Sequence, residues 1–233
     1  MPPLDVRFPP HPATAATGEH VEVVFADRVE ALRIHEYERV YAIPGLYEEL
    51  VHRRLGCRTP ERMAGMVADA VARLGWDPGD VRIVDAGAGN GVSGEAFAAR
   101  GMRPVVGLDV LPAARAAALR DRPGVYDAYL VADLAALSPE EAAVIRDARP
   151  NLLACVGSVG DGHLPVEAVA AALALLEPDA LLAYAFDVSL GADPLGPLVA
   201  DATELQRDRA LHRRTVAGGE RIWEAAVVRL HRA

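Results

Sequence analysis

Cysteine and long apolar runs are scarce in this chain, and basic residues are outnumbered, 24 against 33 acidic ones. Its 233 residues include two cysteines, Cys57 and Cys155. They form neither a metal pair nor a redox pair, and no disulfide framework follows from them. A reducing cytoplasm fits that usage. No apolar run reaches the roughly 18 residues that a transmembrane helix needs. The opening stretch, MPPLDVRFPPHPATAATG, lacks a basic n-region and an apolar h-region, so no signal peptide is expected there. Its Pro, Ala and Thr content instead suggests a flexible or extended arm over residues 1–20. The net charge is −9 and no basic tract interrupts it, which argues against nucleic acid or an anionic membrane as partner. The pairs Arg53-Arg54 and Arg213-Arg214 read as solvated surface charge. Neither a domain-scale repeat nor an internal linker is visible.

What is present fits one large α/β domain: 52% of residues are apolar and 24% charged. The chain is organised around residues 81–94, VRIVDAGAGNGVSG. A short apolar run ends on Asp85. Glycines follow at 87, 89, 91 and 94, and the pattern then turns helical. This spells a buried strand, a tight turn and a helix N-terminus. Glycine admits positive φ and lets a ligand approach the backbone closely. An open parallel sheet binds its ligand at such a point, outside the carboxyl ends of its strands.

Residues 21–25 and 29–34 suggest a small hairpin. Residues 35–56, HEYERVYAIPGLYEELVHRRLG, gather His35, Tyr37, Tyr41 and Tyr47 around Pro44-Gly45. They read either as a helix–turn–helix packed on the core or as a lid over a pocket. Thr59 and Pro60 suit an N-cap and first helical position, opening a helix that runs to about residue 74. Strands are expected at 104–109, 126–132, 152–157 and 181–186. Helices are expected at 112–120, 138–149, 165–176 and 194–209. The end, 211–229 around Gly218-Gly219, reads as a hairpin. The expected fold is therefore α/β: a Rossmann-like, doubly wound, mainly parallel seven-stranded sheet with a C-terminal antiparallel β-hairpin and an N-terminal lid. Its divisions are the arm at 1–20, a lid or cap at 21–58 and a cofactor-binding domain at 59–233.

Asp85, Asp109 and Asp133 end the first three strands of this alternating region. One such acid is commonly a turn former, but three at the same edge describe a pocket. Asp109, about 20 residues past the glycine turn, is placed to accept the hydroxyls of a ribose. Asp133 is placed to accept an adenine amino group, with Leu134 beside the ring. Residues 89–94 match G-x-G-x-x-G, a weak signal by itself. A carboxylate just before the turn works against a pyrophosphate and suits a cofactor carrying an ammonium and a sulfonium. No lysine follows the glycines, so a Walker-type phosphate site is excluded.

These residues carry a resemblance to class I S-adenosylmethionine-dependent methyltransferases. IVDAGAGNG (83–91) resembles their motif I, GLDV (107–110) the ribose-binding acid and VADL (131–134) the adenine-contact motif. HRRTVAGGERIWEAAVV resembles their closing antiparallel strand, and several segments resemble a bacterial small-molecule subgroup. The resemblance covers roughly residues 35–233. It implies that Asp85 and Gly87 line the amino-acid end of the cofactor, and that Gly89 and Gly91 admit it closely. It further implies that Asp109 takes the ribose hydroxyls, with Val110 against the adenine, and that Asp133 meets the adenine amino group. Val156 would lie near the methyl, and Tyr41 near the methionine end. S-adenosylhomocysteine would be the product. Ala88 stands where many members have Cys.

The loop at 156–165 lacks [DNS]-P-P-[YF] and a Pro-Cys nucleophile, which with the acidic charge favours a small-molecule acceptor over nucleic acid. Transfer to an O-, N- or C-nucleophile needs alignment and, where required, a base. His163 in that loop and His35 in the lid are the candidates, although a loop histidine in a turn is the plainer reading of His163. Asp161 and His163 alone do not make a metal site. A role in bacterial secondary metabolism and a homodimer are compatible with this reading. The alternatives are a non-methylating protein on the same fold, such as one performing a cofactor-assisted cyclisation, and an NAD-dependent oxidoreductase.

Overall fold

A computed structural model describes residues 4–9, 18–160 and 164–231. The N-terminal part is a three-stranded antiparallel sheet of β1 (Asp5–Arg7), β2 (His20–Val24) and β3 (Val29–Arg33), with β2 in the centre. Alternation sends Val6, Val21, Val23 and Leu32 to one buried face. The β2–β3 hairpin matches the sequence pattern. Asp5–Arg7, within the stretch read as a flexible or extended arm, is extended: it pairs with β2 and buries Val6. Helix α1 (Tyr37–Ala42) and a π-helical segment, Glu48–Arg54, close over this face with Val40, Leu46, Leu50 and Leu55.

Helix α2 (Thr59–Arg73) opens the main unit. Thr59 is not its N-cap. That position is Arg58, which makes no side-chain cap bond, while Thr59 Oγ1 lies 2.6 Å from Nδ1 of His212. A partner distant in sequence has outcompeted the local capping bond.

The order then runs β4 (Arg82–Ala86), α3 (Val92–Ala98), β5 (Arg103–Asp109), α4 (Pro112–Asp121), β6 (Ala128–Val131), α5 (Pro139–Asp147), β7 (Leu152–Cys155), α6 (Val166–Leu173), β8 (Leu181–Asp187), β9 (Thr203–Arg214) and β10 (Glu220–Arg229). Ser138 and Glu141 form the reciprocal cap expected at the start of α5. The sheet order is β6-β5-β4-β7-β8-β10-β9, parallel from β6 to β8, with β10 antiparallel to both neighbours. The chain winds outward in both directions from β4, so the ligand crevice belongs at that strand's carboxyl end. One face packs against α2 and α3 through Met63, Val67, Ile83 and Phe97. The other forms a second core around Val84, Leu108, Leu153 and Tyr184.

Residues 194–209 are not the expected helix. Turns cover 194–201, and residues from Thr203 onward lie in β9. Gly196 and Pro197 weaken a helix there, and ten residues of β10 give this segment a ladder to join. Among the described residues, no helix is long and apolar enough to cross a membrane.

Candidate functional site

The turn after β4 is held by its neighbour strand. The N–H groups of Gly87 and Ala88 both donate to the carbonyl of Leu108, at 2.8 and 2.9 Å. Asp109, the last residue of β5, then takes over. Its Oδ2 accepts the N–H of Gly89 at 3.0 Å and its Oδ1 accepts the N–H of Leu111 at 2.9 Å. One carboxylate thus pins the glycine turn and the β5–α4 loop together. Burial raises its pKa, and the N–H groups of Leu111, Gly89 and Val110 pull the other way. Each oxygen retains a lone pair for a further donor.

Two glycines leave space that nothing else could. Gly89 has φ +53°, and a Cβ there would sit 2.5 Å from the Tyr41 hydroxyl. Gly87 has φ +74°, and a Cβ there would run into Ser158, whose hydroxyl donates to the carbonyl of Ala86 at 2.6 Å. The turn is therefore packed from both sides, by the N-terminal segment and by the loop after β7.

Asp85 is 1% exposed. Its Oδ2 accepts from the Tyr126 hydroxyl at 2.6 Å, and its Oδ1 is buried with no hydrogen-bond partner among the described residues. Burial pushes the carboxyl up to about 7; the Tyr126 bond lowers it and the charge of Asp109 raises it.

The N-terminal segment covers this turn. Tyr37 and Tyr41 stack at 5.9 Å, and Tyr41 meets Tyr47 at 5.1 Å. Tyr41 packs with Ala114 and Ala117 of α4. Glu48 Oε1 accepts from Asn90 Nδ2 at 2.6 Å and from Arg122 Nη1 at 2.8 Å. At its far side the segment is tied to the C-terminal hairpin. Glu19, fully buried, accepts from Arg213 Nη2 at 2.6 Å and from the N–H of Val216 at 2.7 Å.

Among solved structures, the 1,6-didemethyltoxoflavin-N1-methyltransferase of Burkholderia thailandensis, with 1,6-didemethyltoxoflavin and S-adenosylhomocysteine bound, matches at a TM-score of 0.52 and 18% identity, over 91% of this chain and 96% of that one. A SAM-dependent methyltransferase from Anabaena variabilis matches at 0.52 and 18%, over 86% and 96%. The N-methyltransferase NodS from Bradyrhizobium japonicum matches at 0.52 and 15%, over 74% and 96%. No protein-family model and no curated protein sequence matches the chain. The chain has the class I methyltransferase fold.

In this methyltransferase fold the residues singled out in the sequence are only partly brought together. Gly89 is bonded to Asp109, Gly87 to the carbonyl of Leu108 and Gly91 to that of Ala88, with Tyr41 against the turn; Asp85, at the end of β4, is bonded to Tyr126 instead. Val110 is 57% exposed beside them. Asp133 follows the adjacent strand β6 and is exposed; its Oδ1 accepts the N–H of Ala135 at 2.9 Å, a turn former's bond. Leu134 is buried in the core with Leu108 and Ile145 rather than lying open beside Asp133. Val156 is half-buried just past β7. His35 is exposed, its ring edge-on to Tyr37 at 5.7 Å. His163 and Asp161 lie outside the described residues. Sequence reading passed over Tyr126, Tyr129, Asn90, Glu48 and Arg122. No local pattern marks them: Tyr126 meets Gly94 and Gly107 only once α3 and β5 have packed.

Proposed function

We propose that this chain transfers the methyl group of S-adenosylmethionine to a small-molecule acceptor, with S-adenosylhomocysteine as product. The observation carrying this reading is the unit formed by Asp85, the glycine turn and Asp109. Asp85 Oδ1 is a buried acceptor without a donor among the described residues, which suits an ammonium. Positive φ at Gly87 and Gly89 makes a tight turn whose Cβ positions are taken by Ser158 and Tyr41, the side chains a ligand at the turn would lie against. Asp109, already fixed by two N–H groups, suits the ribose hydroxyls. Exposed Val110 and Asp133 are assigned to the adenine, and Tyr41 and Val156 to the methionine and methyl end. These residues fit the cofactor.

When bound, that cofactor supplies a methyl group already activated by its sulfonium. The protein's remaining work is to align a nucleophile, exclude water and take a proton where the acceptor requires it. The aromatic segment at 35–56 is assigned as the lid, and residues 59–233 as the catalytic domain. His163 and His35 are the base candidates. A small metabolite is favoured over nucleic acid by the net charge of −9, and a cytoplasmic setting by the cysteine usage.

The test is product analysis after incubation with S-adenosylmethionine and a panel of phenols, amines and heterocycles. A methylated product formed with one equivalent of S-adenosylhomocysteine supports transfer. An altered acceptor without S-adenosylhomocysteine would mean a non-methylating reaction on this fold.

A further inference from the structure

Two tyrosines at the entry to β6 are both tied to the glycine turn. Tyr126 donates to Oδ2 of Asp85 at 2.6 Å, and Tyr129 donates to the carbonyl of Gly89 at 2.6 Å. Their rings meet edge-on at 5.6 Å. The place of Tyr126 is built by two other glycines. A Cβ at Gly94 on α3 would sit 2.7 Å from its ring atoms, and one at Gly107 on β5 would sit 2.8 Å away. No larger residue fits at either position while this ring stays where it is.

We infer that Tyr126 is a positioning residue for the cofactor: its hydroxyl fixes one oxygen of Asp85 and leaves Oδ1 as the single acceptor for the ligand's ammonium. This rests on the methyltransferase reading above. A free carboxylate can turn about its bond and share both oxygens among donors. Here one oxygen is committed, and the other is buried and lacks a donor among the described residues, a state that costs free energy until a donor arrives. The groups facing Asp85 are Tyr126 and Tyr129 from the β6 side, Asp109 from β5 and Cys155 from β7. Arg115 acts on Tyr129. The groups that act on Asp85 itself are burial, Tyr126 and Asp109, so the Tyr126 bond is the one influence that favours its charged form.

The test is calorimetric titration of S-adenosylhomocysteine into the wild type, Tyr126→Phe, Asp85→Asn and the double variant, from about pH 5.5 to about pH 8.5. In the wild type, affinity rises with pH as Asp85 ionises. Tyr126→Phe is expected to weaken binding about tenfold near neutrality and to move the midpoint of that rise to higher pH. Asp85→Asn is expected to abolish the rise, and adding Tyr126→Phe to it should then change affinity by less than about twofold. A merely structural tyrosine would lower affinity equally at every pH and in both backgrounds, and that result overturns the inference. Should Tyr126→Phe fail to fold, replacing Tyr126 by 3-fluorotyrosine strengthens the donor and keeps the ring. The midpoint should then move to lower pH, and an unmoved midpoint overturns the inference. A wild type that binds no S-adenosylhomocysteine at any pH overturns the methyltransferase reading and this inference together. A wild type that binds, with the midpoint indifferent to Tyr126, overturns the inference alone.

Discussion

The side-chain amide of Asn90 donates to Oε1 of Glu48 at 2.6 Å, joining the middle of the glycine turn to the N-terminal segment. The same oxygen accepts Arg122 Nη1, which also donates to the carbonyl of Asn90 at 3.1 Å. Arg122 Nε reaches Glu95 on α3 at 2.9 Å. The segment assigned as a lid and the turn assigned to the cofactor are thus latched by one carboxylate.

Glu48→Ala removes that latch. Charge-assisted bonds of this kind are worth roughly 1.5–3 kcal/mol, so release of S-adenosylhomocysteine should accelerate about tenfold or more. Stopped-flow displacement reads the rate directly. An unchanged rate would show that the segment and the turn move independently.

Asp85 gives stability a pH dependence of unusual sign. Its carboxyl is held at about 7 in the folded state, against about 4 when exposed. Between those values the folded state binds more protons than the unfolded, so this contribution is present at low pH and lost as pH rises toward 7. The gap is worth roughly 4 kcal/mol. Asp85→Asn should therefore be more stable than the wild type above pH 7 in urea titrations, and the advantage should shrink on acidification. Equal stability at all pH values would contradict the buried, raised carboxyl.

His212 acts oppositely. It is stacked on Trp223 at 3.6 Å, and burial lowers it to about 3. Stability from a depressed histidine is present above about pH 6.5 and lost as pH falls toward 3. The two slopes oppose each other in the wild type between about pH 4 and 6.5. His212→Gln should expose the falling slope of Asp85, and Asp85→Asn the rising slope of His212. Thermal melts across that range check both; parallel profiles for the two variants would contradict the pairing.

The buried pair Glu19–Arg213 holds the N-terminal sheet to the C-terminal hairpin, with side chains 0% and 7% exposed. Glu19→Ala leaves the buried Arg213 guanidinium without its counter-charge, bonded then to the carbonyl of Arg214, and the N–H of Val216 without its acceptor. The cost should be about 3–5 kcal/mol of unfolding free energy. Chemical denaturation measures it, and a loss below about 1 kcal/mol would mean that water replaces the carboxylate there.

Much of this was legible in the sequence. The runs ending on Asp85 and Asp109 are apolar and short, bounded by glycine or proline, and they formed the strands their pattern describes. Legibility failed where distant partners decide. Thr59 looks like a cap, but His212 takes its hydroxyl. Residues 203–209 are polar enough to suit a helix, yet pairing with β10 makes them a strand. Tyr126 carried no local sign of its role, because its partners Asp85, Gly94 and Gly107 come together only when β4, α3 and β5 pack.

The central claim is most directly tested by titrating wild type and Asp109→Ala with S-adenosylmethionine, S-adenosylhomocysteine and NAD in parallel. The first two should bind the wild type and NAD should not, and Asp109→Ala, folded by circular dichroism, should bind both at least about tenfold more weakly. Binding of NAD alone, or an Asp109→Ala variant with wild-type affinity, would contradict it.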